Sequence, residues 1–176
     1  MRYIWGILLL LIGAILAGIL IQQGVKEHYD FKTNYKSYWE LSDRSSTLQA
    51  KEQYISQFVE QINLNKDKFA EYNAVIFKTP QSGFENNLKA VETLRDRLIS
   101  IQGMNETDFA YQTAIQQVTE QEQGEAQSML SDIEGCFTLK NYPIIWEWYG
   151  LIVLVVSVMF ITTGVILIAI AYEGAE

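Results

Sequence analysis

Residues 148–172 read WYGLIVLVVSVMFITTGVILIAIAY, 25 positions without an Asp, Glu, Lys or Arg. A second run, YIWGILLLLIGAILAGILIQQGV at residues 3–25, is charge-free for 23. A helix needs roughly 20 predominantly apolar residues to cross the hydrocarbon core of a bilayer, and each run exceeds that. The pair decides the fold class. The sequence predicts an all-α chain with two transmembrane helices, at about 3–25 and 144–172, flanking an extracytoplasmic antiparallel helical hairpin or a three- to four-helix bundle over 26–143.

Working outward, residues 26–147 carry 31 of the 34 charged side chains, the density of an ordinary water-soluble segment. The whole-chain values, 49% hydrophobic, 19% charged and a net charge of -8, therefore average two unlike parts. A simple cytosolic enzyme and an acidic disordered tail are excluded. Nucleic-acid binding is not expected either, because there is no basic patch and the acidic excess would repel phosphate.

Arg2 precedes an apolar run longer than the ~7–15 residues of a cleavable signal core, and no A-x-A site follows it. Residues 3–25 therefore read as an uncleaved signal anchor in the cell membrane. Arg2 favours a cytoplasmic N-terminus, and a connecting segment this long translocates largely regardless of its charge. Both ends are then cytoplasmic, with 173–176 as a short tail. Ala14 and Gly18 form a small-xxx-small pair, the candidate surface for packing against another membrane helix.

Between the spans the periodicity is helical. Leu41, Leu48, Ile55, Ile62, Phe69 and Ile76 recur every seven residues, a coiled-coil-like stripe that predicts a helix over about 28–78, continuous or broken once at Asn63-Leu64-Asn65, and that break decides between hairpin and bundle. Positions four residues on include Glu52, Lys66 and Asn73, so the stripe suits packing within a small bundle better than a long two-stranded coil. Lys78-Thr79-Pro80-Gln81-Ser82-Gly83 is a turn by composition. Ser82 stands three residues before Glu85, a capping-box spacing, and predicts a helix over 83–102. A third helix is expected over 106–134, capped by Asn105 or Thr107 and ended at Gly135-Cys136.

Charge is unequal along this segment. From residue 98 to 139 there is no Lys or Arg, while Glu106, Asp108, Glu120, Glu122, Glu125, Asp132 and Glu134 give the return helix almost the entire acidity of the chain. These seven are the candidate acidic face for a partner. Tyr35, Tyr38 and Trp39 after the first span, with Trp146, Trp148 and Tyr149 before the second, predict an interfacial aromatic collar.

Catalytic chemistry finds little support. One histidine, His28, rules out His/Cys zinc sites and the paired Glu-x-x-His set of a di-iron bundle. No nucleophile elbow or Gly-rich phosphate loop occurs. No catalytic residue, cofactor or metal ligand is expected. Cys136 is the single cysteine, a candidate intermolecular thiol, and Asn105-Glu106-Thr107 is a formal glycosylation sequon.

The plan of span, helical segment and span resembles in outline the sensor region of bacterial chemoreceptors, without a residue-level motif. That outline implies a ligand-sensing module relaying helix movement to a membrane partner. Taken with the absence of catalytic constellations, the residues point first to a non-enzymatic membrane protein. Its helical domain mediates protein–protein assembly, as an accessory subunit or a self-associating scaffold; the expected partners are the lipid bilayer and a protein partner or second copy.

Overall fold

The computed structural model describes residues 2–104, 109, 111–114 and 122–173. Helices dominate: among the described residues the only β-type pairing is an isolated bridge between Tyr72 and Gly83. The chain divides into two units, residues 1–28 with 142–176, and residues 29–141.

The first unit holds α1 (Arg2–Phe31) as far as His28, and the last helix of the chain, Glu147–Glu173. At 1.5 Å per residue they rise about 45 and about 40 Å, and both are long and apolar enough to cross a membrane. Only 11% of the most apolar stretch of each is buried, whereas a soluble core helix would be mostly covered. The pair is antiparallel, since Gly6 lies beside Gly164 and Gly13 beside Ser157.

In the second unit α1 runs into a π-helical turn (Lys32–Lys36) and then α2 (Ser37–Asp43). Side chains spaced by four on an ideal α-helix drift by about 40° per step. The wider π-turn offsets that drift, so Phe31, Tyr35 and Trp39 are all buried. Residues 44–47 interrupt the helix, and Thr47 caps α3 (Leu48–Leu64) by accepting a hydrogen bond from the Ala50 amide at 3.2 Å. The cluster Ser45-Ser46-Thr47 competes for backbone hydrogen bonds and favours a cap over a helix interior.

The helix expected over about 28–78, continuous or once broken, is interrupted more than that. It breaks at 44–47 and ends at Leu64; only the 3-10 turn Lys66–Lys68 follows before Gly83. The seven-residue stripe is cut with it. Ile55, Ile62 and Phe69 are buried, but Ile76 is 79% exposed.

Next is α4 (Phe84–Gln102). Its capping box does not form: Gly83 is the N-cap with no side-chain bond. The Ser82 hydroxyl instead accepts from the Thr79 amide and donates to the Thr79 carbonyl, both at 3.0 Å. The last helix of the unit, α5 (Glu122–Asn141), continues through Gly135 and Cys136. It stops where Pro143 restricts the residue before it, and α6 (Glu147–Glu173) starts only after the turn at 143–145.

In chain order α2 packs on α3, α3 on α4 and α4 on α5. Their shared core includes Ile55, Phe58, Ile62, Leu88, Val91, Leu98, Leu130 and Ile133, all almost fully buried.

Candidate functional site

Two regions show organisation beyond generic helix packing, one in each unit. In the first unit it is the seam between α1 and α6. A Cβ added at Gly13 would stand 3.0 Å from the Ser157 carbonyl oxygen and 2.7 Å from Ile161 Cγ1; one at Gly164 would stand 2.8 Å from the Gly6 carbonyl oxygen. The backbones thus meet because neither glycine carries a side chain. The Ser157 hydroxyl, buried, donates to the Gly13 carbonyl oxygen at 2.8 Å. Gly6 and Gly13, like Ser157 and Gly164, are seven residues apart, so one small residue per two turns faces the partner helix. Without a hydrophobic drive between helices in lipid, such close packing and hydrogen bonding are what hold spans together.

The expected packing pair lies elsewhere on α1. Ala14 and Gly18 are exposed, and nothing lies within 4 Å of a Cβ built on Gly18. Both belong to a face that α6 does not cover.

In the second unit an aromatic nucleus joins the ends of several elements. Phe69 stacks on Phe84 with ring centroids 4.7 Å apart, and meets Tyr35 edge-on at 5.4 Å and Phe137 at 5.7 Å. Phe31 and Tyr35 also contact Phe137, at 5.4 and 5.6 Å. Trp39 packs edge-on against Phe58 at 5.4 Å. Tyr35 and Trp39 of the expected collar are therefore core residues of the helical unit, and Tyr38 is half-buried. Trp146, Trp148 and Tyr149 belong to the other unit, where Trp146 is buried against Tyr149 at 6.0 Å and Trp148 is exposed.

Cys136 is fully buried, its thiol 3.9 Å from the Ser82 carbonyl oxygen. Burial and the carboxylate of Asp132 push this thiol up to about 12. A disulfide to a second copy requires the sulfur to leave that environment.

Of the acidic set, Glu106, Asp108 and Glu120 lie outside the described residues, as do Asn105 and Thr107, and Glu122 is the first residue of α5. Glu134 is paired with Lys36 at 3.0 Å, and Asp132 accepts from the Asn73 side-chain amide at 3.4 Å. Glu125 is exposed and borders an open groove of about 230 Å³ between α4 and α5, together with Ala90, Leu94, Arg97, Ala126 and Met129. That is below the roughly 300–1,000 Å³ of small-molecule pockets. Among the described residues no group of three or more His, Cys, Asp or Glu is placed to hold a metal ion.

The seam has a sequence signal of its own, small residues spaced by seven in both apolar runs, which the four-residue Ala14/Gly18 spacing does not capture. No protein-family model, curated protein or solved structure matches this chain.

Proposed function

We propose that this chain is a non-enzymatic two-pass protein of the cell membrane that mediates protein–protein assembly, as an accessory subunit of a membrane complex or a self-associating scaffold. In this reading the central helical unit is extracytoplasmic and the outer ends of both spans are cytoplasmic.

One observation carries the reading. The α1–α6 seam consumes Gly6, Gly13, Ser157 and Gly164, while Ala14 and Gly18 remain uncovered on the outer face of α1. Small residues at that spacing admit a further helix at close range. The test is cross-linking and mass measurement of the full chain in mild detergent, comparing Gly18→Leu with the parent. A defined homo-oligomer or stoichiometric complex that Gly18→Leu dissolves supports the proposal. A clean monomer for the parent sinks it.

The rival reading, ligand sensing, is favoured by a different feature. Residues 2–43 are helical without a non-helical residue, through the π-turn at Lys32–Lys36, and π-turns often mark functional positions. A sensor gains thermal stability with one compound from a metabolite screen, since a ligand that binds only the folded state stabilises it by mass action.

A further inference from the structure

Residues 69–83 join the 3-10 turn at Lys66–Lys68 to α4 without a helix of their own. Within them Val75, Ile76 and Phe77 are 45%, 79% and 83% exposed. Single surface hydrophobics need no explanation, but three in succession on one loop mark a surface that something recognises.

Both ends of this loop are fixed. The Asn73 amide donates to the Ser82 carbonyl at 2.7 Å, and the Phe84 amide to the Glu71 carbonyl at 2.9 Å. On the entering side Phe69 is buried and stacked on Phe84, the Ala70 amide donates to the Cys136 carbonyl at 3.0 Å, and the Asn73 side chain packs directly on Gly135. On the leaving side the Asn86 and Asn87 side chains donate to the Pro80 and Gln81 carbonyls at 3.0 and 2.7 Å.

The middle is free. The amides of Ala74, Val75, Ile76 and Phe77 have no hydrogen-bond partner among the described residues, and the Lys78 amide makes only a 3.2 Å bond to the Ile76 carbonyl. Endopeptidases hold a substrate as an extended strand, pairing with its backbone while alternate side chains enter pockets. Helical residues cannot be held this way, because their backbone groups are already engaged; accessible loop tips are where nicking concentrates. Val75 to Lys78 can span about 10 Å of a binding cleft at ~3.3 Å per residue, while Ala74 and Thr79 lead back to the fixed ends. In that form Val75 and Phe77 project to one side and Ile76 and Lys78 to the other. Phe77 is the most exposed of the apolar three, whereas the Lys78 ammonium is engaged 5.3 Å over the Tyr72 ring.

We propose that the Phe77–Lys78 peptide bond is an endoproteolytic cleavage site, for an endopeptidase whose primary pocket takes an aromatic side chain. Water adds across the amide. The Phe77 carbonyl carbon gains the oxygen, the Lys78 nitrogen gains the hydrogens, and the bond between them breaks, leaving a carboxylate on residues 1–77 and an ammonium on 78–176. Neither product leaves. In the helical unit the cut lies outside the clasp, so the Phe69–Phe84 stack, the Ala70–Cys136 bond and the packing of α3 on α4 persist. In the other unit each product keeps one apolar helix, α1 or α6, and the Ser157–Gly13 bond joins them. The cut form is a two-chain protein of unchanged fold.

The experiment treats the full chain in mild detergent with a low proportion of chymotrypsin, whose primary pocket is apolar, and follows the products by intact mass and by sequencing of new N-termini. Lys78 should appear as a new N-terminus at the earliest times. Tyr29 is 67% exposed but lies within α1, and cleavage after it should be at least tenfold slower. The two products should elute together in size exclusion and separate only in denaturant. Phe77→Asp should slow cleavage of this bond at least tenfold with the thermal midpoint unchanged, because the ring it replaces is exposed. A 77–78 bond that stays intact, whether the chain resists or is cut elsewhere, overturns the site, as does cleavage after Tyr29 at an equal rate. Products that part without denaturant overturn the two-chain form.

Discussion

The hydroxyl of Ser157 donates a 2.8 Å hydrogen bond to the carbonyl oxygen of Gly13, joining α6 to α1 at a point where neither helix has room for a larger side chain. Around it the two backbones are in contact, so the seam is sensitive both to lost bonding and to added volume.

Ser157→Ala should weaken the pair by about 0.6 and at most about 1.7 kcal/mol, the range of interhelical hydrogen bonds in membranes. Gly13→Leu should do far more, because backbone atoms face the added carbon and cannot swing aside. Gly18→Leu should leave the pair intact, with nothing within 4 Å of the new Cβ. Energy transfer between labels on the two helices, followed through detergent unfolding, ranks the three. An equal effect at 13 and 18 would contradict the described seam.

The Cys136 thiol has a sign that can be worked out. Its folded value is raised from the ordinary 9.0 to about 12, mainly by burial and then by Asp132. The neutral thiol is thus the folded form, while in the unfolded chain it ionises near 9.0. Its contribution is fully present below that value and is lost as pH rises from 9.0 toward about 12. Denaturant unfolding of the parent and Cys136→Ala between about pH 8 and about pH 11 should show the two stabilities converging above pH 9. A constant difference across that interval would show that the thiol is not buried as described.

Gly135→Ala should push the Asn73 side chain aside and loosen the backbone pairing of Asn73 with Ser82. The new methyl group would occupy the place of the Asn73 side-chain amide, which can swing aside at the loss of its hydrogen bond to Asp132, so the cost should be no more than about 1 kcal/mol, the low end for overpacking. Hydrogen exchange of the Asn73 and Phe84 amides should accelerate with little change at Leu88 or Val91. Unchanged protection at Asn73 would mean that the contact is looser than its geometry.

Ile62 and Ile76 occupy equivalent places in the seven-residue repeat, yet one is fully buried and the other 79% exposed. Ile62→Ala should cost about 2–5 kcal/mol. Ile76→Ala should change denaturant stability of the helical unit by less than about 0.5 kcal/mol. Comparable losses at both would restore a continuous stripe through residue 76.

These contrasts show what periodicity conveys. The stripe from Leu41 to Ile76 counts apolar positions but does not register that Ser45-Ser46-Thr47 offers the backbone a cap; the stop at Leu64 falls at Asn63-Leu64-Asn65, where the polar residues interrupt the stripe. Phe69 keeps its place in the core from non-helical backbone, through its aromatic partners. Tyr35 and Trp39 show a similar ambiguity. Aromatic residues just outside a span suit a headgroup belt, but the π-turn places these two against Phe69, Phe137 and Phe58 instead. In the two apolar helices small residues recur at two spacings: the seven-residue one forms the seam, while the four-residue pair Ala14 and Gly18 stays outside it.

By itself the sequence determined the all-helical class and the two long apolar helices, because helix length and hydropathy are local properties summed along the chain. It also determined that 31 of the 34 charged side chains fall within residues 26–147. Which small residues touch, which aromatic rings are core, and which repeat position is exposed were decided only by tertiary structure. Each depends on a partner surface distant in sequence: Gly13 is special because Ser157 and Ile161 lie opposite, and Ile76 is exposed because its loop is clasped at Asn73 and Ser82 with no helix to carry it inward.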